Sequence, residues 1–402
     1  MHHYADHIAV LLQPIEHPQN PYRQLYIPAA LEAASGMSPM KQTNKQSVQS
    51  VILHSLLSSS AFHLWNCLPS QTSYHKIGSQ HRQQALFLLQ STIRFEMTTT
   101  DYKMLMVAML SLVTIDQFMS GCEADFAIHL QGTQQLRNRR RKWRHISRET
   151  RQLNEISDFL HLLARTMAFS SSPRPWPSVN TQDTEGFVAS GIESDCCFGY
   201  MYGITTVTAT NIFETCRLAE YLSWYKEYQE PIPDGLLEAC ESLGDRLCCW
   251  SFQAESSRHI SDDEDAFEIF RHHSNAWHLA ALTYYHRRIQ RCCSHDHDQV
   301  IAKIAEHMHA VEDIKERSAS NAAKRMAPIM WPAFVASCEA TFHDTWTLWW
   351  QRVQSYHIAN YQRLWEVIQQ IWQKQEIMSQ PAASDFDWIE AFKDLEITLL
   401  PI

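Results

Sequence analysis

Apolar side chains recur every three or four residues along most of this chain. Over residues 44–65, Val48, Ile52 and Leu56 fall largely on one stripe, which is the period of a helix with one buried face. Residues 104–110 are apolar on most sides, so their helix is expected at the centre of the fold. We find no convincing run that alternates between apolar and polar residues, as a half-buried strand does.

The pattern therefore predicts an all-α fold with essentially no sheet. We expect a large multi-helix domain of roughly 13 to 15 helices, packed as antiparallel helical pairs or a superhelical bundle. The predicted helical segments are 44–65, 73–95, one that begins near 100, 123–144, 149–169, 201–227, 234–253, 264–292, 297–315, 320–350, 354–377 and 385–397.

The clearest break in the helical pattern is the stretch 170–193. It opens with clustered serines and three prolines, Ser170–Pro177, which disfavour both a helix and a strand ladder. The residues alone leave two interpretations open. The stretch is either an exposed linker that forms a boundary between two helical lobes, or a long loop that crosses one domain.

Composition narrows the function classes. The chain has 402 residues, 45% of them hydrophobic, so it can bury a substantial core. Glycine is scarce, with 10 residues, which argues against glycine-rich nucleotide loops. The net charge of −10 should repel nucleic acid. No apolar run approaches the roughly 18 residues needed to cross a bilayer, so we expect no membrane partner.

Eleven cysteines without a regular framework are typical of a reducing compartment. No two of them have the two-residue gap at which paired thiolates commonly bind zinc, so no zinc cluster is expected. The segment 292–298 crowds cysteines, histidines and aspartates into a short stretch, but adjacent cysteines rarely both reach one ion. We interpret it as a polar turn, and we expect no metal and no cofactor.

The strongest charge feature is the basic run that begins at residue 137. Residues 137–151 hold eight Lys or Arg and one acidic residue. Such a run is a candidate for nuclear import or for contact with a polyanion. The alternative is a solvated helix end, where cations favour the C-terminal dipole. The candidate residues are Arg137, Arg139, Arg140, Arg141, Lys142 and Arg144.

Signatures of catalysis are missing from the sequence. It has no GxSxG, Walker, HExxH or GxGxxG pattern. The acidic run 262–265 invites comparison with the metal-binding motif of helical cyclases, but residue 266 is Ala where that motif needs a carboxylate. An acidic first turn of a helix explains the run. We therefore predict that the chain has no catalytic residues and is not an enzyme.

Residues 329–340 form the most informative stretch. Trp331, Phe334 and Cys338 recur at helical intervals and should face one core. Pro332 lacks a backbone N–H, so it is expected in the first turn of a helix, where that donor is not needed. No titratable pair or glycine loop accompanies these residues. The stretch therefore indicates packing rather than chemistry.

The block 331–340, WPAFVASCEA, resembles a hallmark of the helical regulatory domain of fungal zinc binuclear cluster transcription factors, of the acriflavine sensitivity control and arginine metabolism regulation type. Further pieces of that family's pattern follow in order along nearly the whole chain, at 3–12, 20–31, 56–64, 129–132, 276–288 and 387–388. The resemblance marks as structural motif residues Trp331, Pro332, Phe334, Cys338, Glu339, Ala340, Asn20, Pro21 and Trp388. His63, His129 and His278 also fall in these motifs, and we expect them to be buried hydrogen-bonding groups.

The resemblance implies one regulatory domain over residues 1–402, in a nuclear regulator of RNA polymerase II genes of metabolism or biosynthesis. Its partners would be the transcription machinery or other regulators, and it could form a homodimer or heterodimer. Full-length family members carry an N-terminal zinc cluster that this sequence lacks, so DNA would be reached only through a missing N-terminus or a partner.

Two other functions stay open at this point. One is an all-α enzyme that acts on a small apolar metabolite. The other is an antagonist or dimer partner of a zinc-cluster regulator that does not itself bind DNA. The closing residues 385–400 interleave acidic and bulky apolar groups, which suits either an activation segment or a packed terminal helix.

Overall fold

The computed structural model describes residues 1–35, 44–92, 99–119, 125–140, 146–177, 196–254, 263–290, 298–318, 326–378 and 386–402. Within these ranges the chain is helical and has no strand, which confirms the predicted all-α class. The α-helices are α1 (Ala9–Leu11), α2 (Ile27–Ser35), α3 (Asn44–Cys67), α4 (Thr72–Thr92), α5 (Thr99–Phe118), α6 (Phe126–Arg139), α7 (Arg148–Thr166), α8 (Phe198–Tyr202), α9 (Thr206–Tyr228), α10 (Asp234–Cys248), α11 (Glu264–Tyr285), α12 (Asp298–Ser318), α13 (Trp331–Glu339), α14 (Asp344–Val353), α15 (Ala359–Met378) and α16 (Trp388–Lys393). Short π-helical segments span Tyr4–Ile8, Tyr22–Tyr26 and His286–Gln290, and 3-10 turns span Phe252–Ala254 and Gln354–Tyr356.

Several predicted helical segments are divided in the structure, among them 354–377, which is interrupted at His357 by a left-handed backbone (φ 55°). The segment 201–227 is interrupted by Gly203, whose left-handed backbone (φ 65°) ends α8. The Thr205 hydroxyl then accepts a backbone hydrogen bond from the first turn of α9 (3.2 Å). In the segment 320–350, Ala340 has an extended backbone and ends α13. Periodicity alone did not place these breaks, because apolar residues continue on both sides of each.

The described part of the predicted loop is non-helical, as its prolines require. Residues 169–177 have no helix, and the Ser172 backbone N–H donates to the Glu220 carbonyl (3.0 Å). The ring of Trp176 packs edge-on against a tyrosine of α9. Residues 178–195 lie outside the described ranges. The predicted lobe boundary in this loop therefore stays a prediction.

Met1–Leu160 and Val353–Arg363 form most of one compact unit. Within it α3 packs against α2, α4 and α5, and α5 packs against α6. Met106, Val107 and Ala108 of α5 are fully buried. Their burial confirms that this helix, apolar on most sides, lies at the centre of its unit.

A second compact unit is formed by His161–Ser318, Pro328–Arg352 and Leu364–Ile402. Here α11 packs against α9, α10, α12 and α13. The fully buried tryptophans of this unit are Trp277, Trp331, Trp346, Trp349, Trp350 and Trp388. Such large side chains supply much of the apolar area that a core needs. Across the described ranges, none of the helices has the length and apolarity to cross a membrane.

Candidate functional site

Helix α13 carries the block that stood out in the sequence, and each of its nine residues is buried. Pro332 lies in the first turn, as predicted, where a missing N–H leaves no helical hydrogen bond unmade. Both α11 and α12 pack on this helix. A helix that is covered in this way acts as part of the core.

Trp331 connects three elements of the second unit. Its indole Nε1 donates to the hydroxyl of Thr166 (2.9 Å), and its ring stacks on Trp277 with centroids 5.2 Å apart. Tyr284 meets the Trp331 ring edge-on and donates its own hydroxyl to the Thr166 carbonyl (2.8 Å). Because each of these polar groups has a partner, the tryptophan is buried without an unmade hydrogen bond.

Glu339, at the end of α13, is the centre of a buried polar network. Its side chain is 2% exposed. Arg287 donates Nε to Oε1 (2.8 Å) and Nη2 to Oε2 (2.6 Å), which is a bidentate pair. The indole Nε1 of Trp388 donates to the same Oε1 (2.7 Å). The carboxylate therefore fixes α13 to the π-helical segment after α11 and to α16.

Phe334, Cys338 and Ala340 complete the motif helix. The Phe334 ring lies edge-on to Trp388 (6.3 Å) and Phe392 (6.4 Å). Burial raises the pKa of the Cys338 thiol well above its ordinary value, so the sulfur stays protonated and unreactive. Ala340 is buried where the helix ends. These contacts describe structural roles for all three residues.

Asn20 and Pro21, the motif residues near the start of the chain, shape the first unit. The Asn20 amide donates to the Ala9 carbonyl (2.9 Å), and its Oδ1 accepts from the Tyr22 backbone N–H (2.9 Å). Pro21 immediately precedes the π-helical segment Tyr22–Tyr26. Asn20 thus links the chain at Ala9 to the chain at Tyr22 through its side chain, which explains why this polar side chain is buried.

The predicted basic cluster falls only partly within the described residues. Arg137 pairs with Asp158, and the guanidinium of the buried Arg140 lies 4.0 Å from the ring centre of Tyr102. Arg139 is exposed. The remaining candidates, which lie outside the described residues, are Arg141, Lys142 and Arg144. Two of the three described arginines thus have structural contacts, and a role in import or polyanion binding stays a prediction.

The three motif histidines are buried and neutral. Burial lowers the pKa of His63 to about 3 and the pKa values of His129 and His278 to about 4. His63 hydrogen-bonds to the ring of His3 (2.9 Å) and to the Tyr356 carbonyl (3.3 Å). The ring of His278 instead stacks on an indole, with centroids 4.1 Å apart. The predicted burial is confirmed for all three, and the predicted hydrogen bonding is confirmed for His63.

The acidic run before α11 forms a helix cap. Asp263 accepts a hydrogen bond from the Ala266 N–H (2.8 Å), and Glu264 and Asp265 lie in the first turn. This arrangement satisfies an otherwise unpaired backbone donor and places negative charge at the positive end of the helix dipole. It confirms the interpretation of the run as a helix start. Asp262 lies outside the described residues, as do 291–297 of the predicted polar turn.

An open groove of about 1050 Å³ lies between the start of α11 and the end of α12. Three of the five carboxylates that line it pair with two arginines. Glu268 pairs with Arg271, and Asp313 and Glu316 both pair with Arg352 at 2.8 Å. In the part of the chain that the structure describes, no three His, Cys, Asp or Glu side chains are placed to hold a metal ion.

Two partners of the motif were not identified from the sequence. Arg287 binds Glu339 from 52 positions away, and Thr166 accepts from Trp331 across 165 positions. The sequence does carry one signal, since Arg287 lies in the stretch 276–288 that resembles the family pattern. Which acid it meets depends on how α11 and α13 cross, and periodicity does not determine that crossing.

Comparison with known proteins gives one family and one curated relative. A family model described as "Fungal specific transcription factor domain" matches residues 1–402. "Arginine metabolism regulation protein II" of Saccharomyces cerevisiae is 20% identical over 493 residues, which cover 100% of this chain and 55% of the relative. The chain thus spans about half the length of the curated relative that it matches. No solved structure matches.

Proposed function

Because the chain belongs to the fungal-specific transcription factor domain family, we propose that it acts in the nucleus to regulate RNA polymerase II genes of metabolism or biosynthesis. The observation that carries this proposal is the family match over all 402 residues. The name of the curated relative, a regulator of arginine metabolism, supports a metabolic gene set. The motif residues support a non-catalytic role, since their side chains are engaged in packing and hydrogen bonds within the core.

In this proposal the helical domain works through contacts with the transcription machinery or with other regulators, as a homodimer or a heterodimer. The net charge of −10 disfavours direct contact with the DNA backbone. We therefore assign the DNA contact to another segment or to a partner protein.

A fusion to an unrelated DNA-binding domain tests the proposal. The fusion should change expression of a reporter gene with the matching binding sites, and the change should depend on nutrient conditions. A fusion that carries Glu339→Ala serves as a matched control, because loss of the buried network should remove the effect. A silent reporter under all nutrient conditions, together with turnover of a metabolite by the purified chain, would favour an enzyme instead.

Nuclear import is tested by replacing Arg139, Arg141 and Lys142 with alanine in a fluorescent fusion. Arg140 is left in place because its contact with Tyr102 is structural. We expect the nuclear signal to fall. The control variant Arg271→Ala removes an arginine elsewhere and should stay nuclear. An unchanged signal in the triple variant would contradict the import role of the basic cluster.

A further inference from the structure

Two consecutive arginines in the π-helical segment His286–Gln290 have different partners. Arg287 pairs with the buried Glu339, whereas Arg288 donates Nη1 to the hydroxyl of Tyr284. Adjacent residues of a regular α-helix point about 100° apart, and the wider turn of a π-helix changes where such side chains point. Among the described residues, no carboxylate forms an ion pair with Arg288.

The charges around Arg288 do not balance. The Glu220 carboxylate acts electrostatically on Arg288, but Arg165 already holds that carboxylate in a bidentate pair (2.7 and 2.6 Å). Burial raises the pKa values of Tyr284 and Cys216, so both of these groups are neutral. One positive charge is left over in a partly buried place, which is a costly arrangement unless an anion completes it.

Aromatic rings border the same guanidinium. It lies 5.0 Å from the ring centre of Phe169 and 5.4 Å from that of Tyr284. Phe169 has a positive φ of 44°, which is strained for a bulky residue, and this conformation holds its ring against Trp388 and Phe392 of α16. The place therefore combines one uncompensated cation with one accessible apolar ring, that of Phe169.

We propose that Arg288 is a binding site for the carboxylate of a small organic acid with an apolar body. A planar guanidinium can hold a carboxylate through two parallel hydrogen bonds, and one carboxylate balances the one charge left over. The ring of Phe169, which is partly exposed, would contact the apolar body. A doubly charged inorganic anion would instead leave negative charge among aromatic rings, which disfavours it.

Benzoate is a suitable probe for the purified full chain. The melting temperature and the tryptophan fluorescence are measured as sodium benzoate replaces sodium chloride at constant ionic strength. We expect a saturable change in both signals. Arg288→Gln should weaken benzoate binding at least tenfold, because the guanidinium that would hold the carboxylate is lost.

Arg217→Gln is the matched control. Arg217 also lies over an aromatic ring, that of Trp176 (5.5 Å), but its charge is paired with Glu214 (2.7 Å). This variant should bind benzoate as the unaltered chain does. Equal binding by Arg288→Gln, or no saturable signal from the unaltered chain, would overturn the proposal. Equal effects of sulfate or phosphate would overturn the assignment to an organic acid.

A further variant keeps the test decisive where Arg288→Gln does not fold. Arg288→Lys retains the positive charge but cannot form the bidentate contact, so benzoate affinity should fall about tenfold. An unchanged affinity in Arg288→Lys would contradict the proposed geometry. Because the measurement uses only the purified chain, its outcome is separate from the outcome of the reporter experiment.

Discussion

At the scale of single residues, Glu339 shows how one buried carboxylate can fix three elements. It receives two hydrogen bonds from Arg287 and one from Trp388, and it is almost fully buried. A buried ion pair of this kind contributes little over an apolar pair of the same shape, yet the loss of one member is severe. The remaining charge then lacks its counter-ion in a buried place.

Glu339→Ala should therefore destabilise the chain by about 3–5 kcal/mol, because the buried Arg287 loses its carboxylate counter-ion. Denaturant unfolding of the purified protein measures this loss. Glu376→Ala, which removes an exposed glutamate of α15, should change the free energy of unfolding by no more than about 0.5 kcal/mol.

A double-mutant cycle measures the interaction free energy between Glu339 and Arg287 separately from the other contacts of each residue. Arg287→Met should cost about as much as Glu339→Ala, and the two changes together should cost clearly less than their sum, because neither charge is then left unpaired. Additive losses would show that the two side chains do not depend on each other.

Gly203 is a second position where one residue decides the local structure. A Cβ added there would lie 2.7 Å from side-chain atoms of His273, and the backbone has a φ of 65°. Gly203→Ala should destabilise the chain by at least about 1–3 kcal/mol, the cost of such strain alone. At Gly235, the nearest atom to an added Cβ is 3.8 Å away, so Gly235→Ala should be neutral or stabilising in thermal unfolding.

At the scale of elements, helix ends are set by local chemistry. Asp263, Thr205 and Asp387 each accept a backbone hydrogen bond at the start of a helix. Such caps satisfy donors that the helix itself leaves unpaired. Helix α16 (Trp388–Lys393) is capped by Asp387 and packed through Trp388, so this part of the C-terminal segment is a docked helix.

Asp263→Ala should destabilise α11 by about 1 kcal/mol, since the Ala266 N–H loses its acceptor. Glu264→Ala, one residue further on, removes a charge from the same first turn but no cap, and should cost only about 0.3–1 kcal/mol. Amide hydrogen exchange in the first turn of α11 distinguishes the variants. Equal protection from amide exchange in Asp263→Ala and Glu264→Ala would contradict the capping role of Asp263.

At the scale of the whole molecule, buried neutral histidines dominate the response to acid. The pKa is lowered by burial in His63, His129 and His278, to about 3 or 4. A histidine in the unfolded chain takes up a proton near pH 6.5, whereas the same buried histidine in the folded chain takes it up only at a much lower pH. Their contribution to stability is therefore lost as the pH falls from about 6.5 to about 4.

The free energy of unfolding should fall steadily over that window, at up to about 1.4 kcal/mol per pH unit for each such group. Urea unfolding at several pH values measures the slope, and His129→Gln should make it shallower. A free energy of unfolding that stays constant between about pH 6.5 and pH 4 would contradict the neutral burial of these histidines.

Asp116 has the opposite effect on how the free energy of unfolding depends on pH. Burial raises the pKa of this carboxyl to about 7, although Arg82 and Arg363 act to lower it. The folded chain therefore holds a proton that the unfolded chain releases, and stability falls as the pH rises from about 4 to about 7. Asp116→Asn removes this opposing effect, so the loss of stability on acidification should become steeper.

Much of the fold could be predicted from the sequence, because helix formation depends on spacing within a few residues. The spacing of Val48, Ile52 and Leu56 predicts a helix with one buried face, whatever that face packs against. Pro332 is confined to the first turn of a helix because it lacks a backbone N–H. The order of motifs along the chain likewise indicated the family before any contact was known.

Tertiary structure alone decided which side chains meet. That Glu339 binds Arg287 and Trp388 follows from how distant helices cross. Sequence periodicity determines which face of a helix is buried. The partner of a buried charge depends on long-range packing, which the spacing of nearby residues does not reveal.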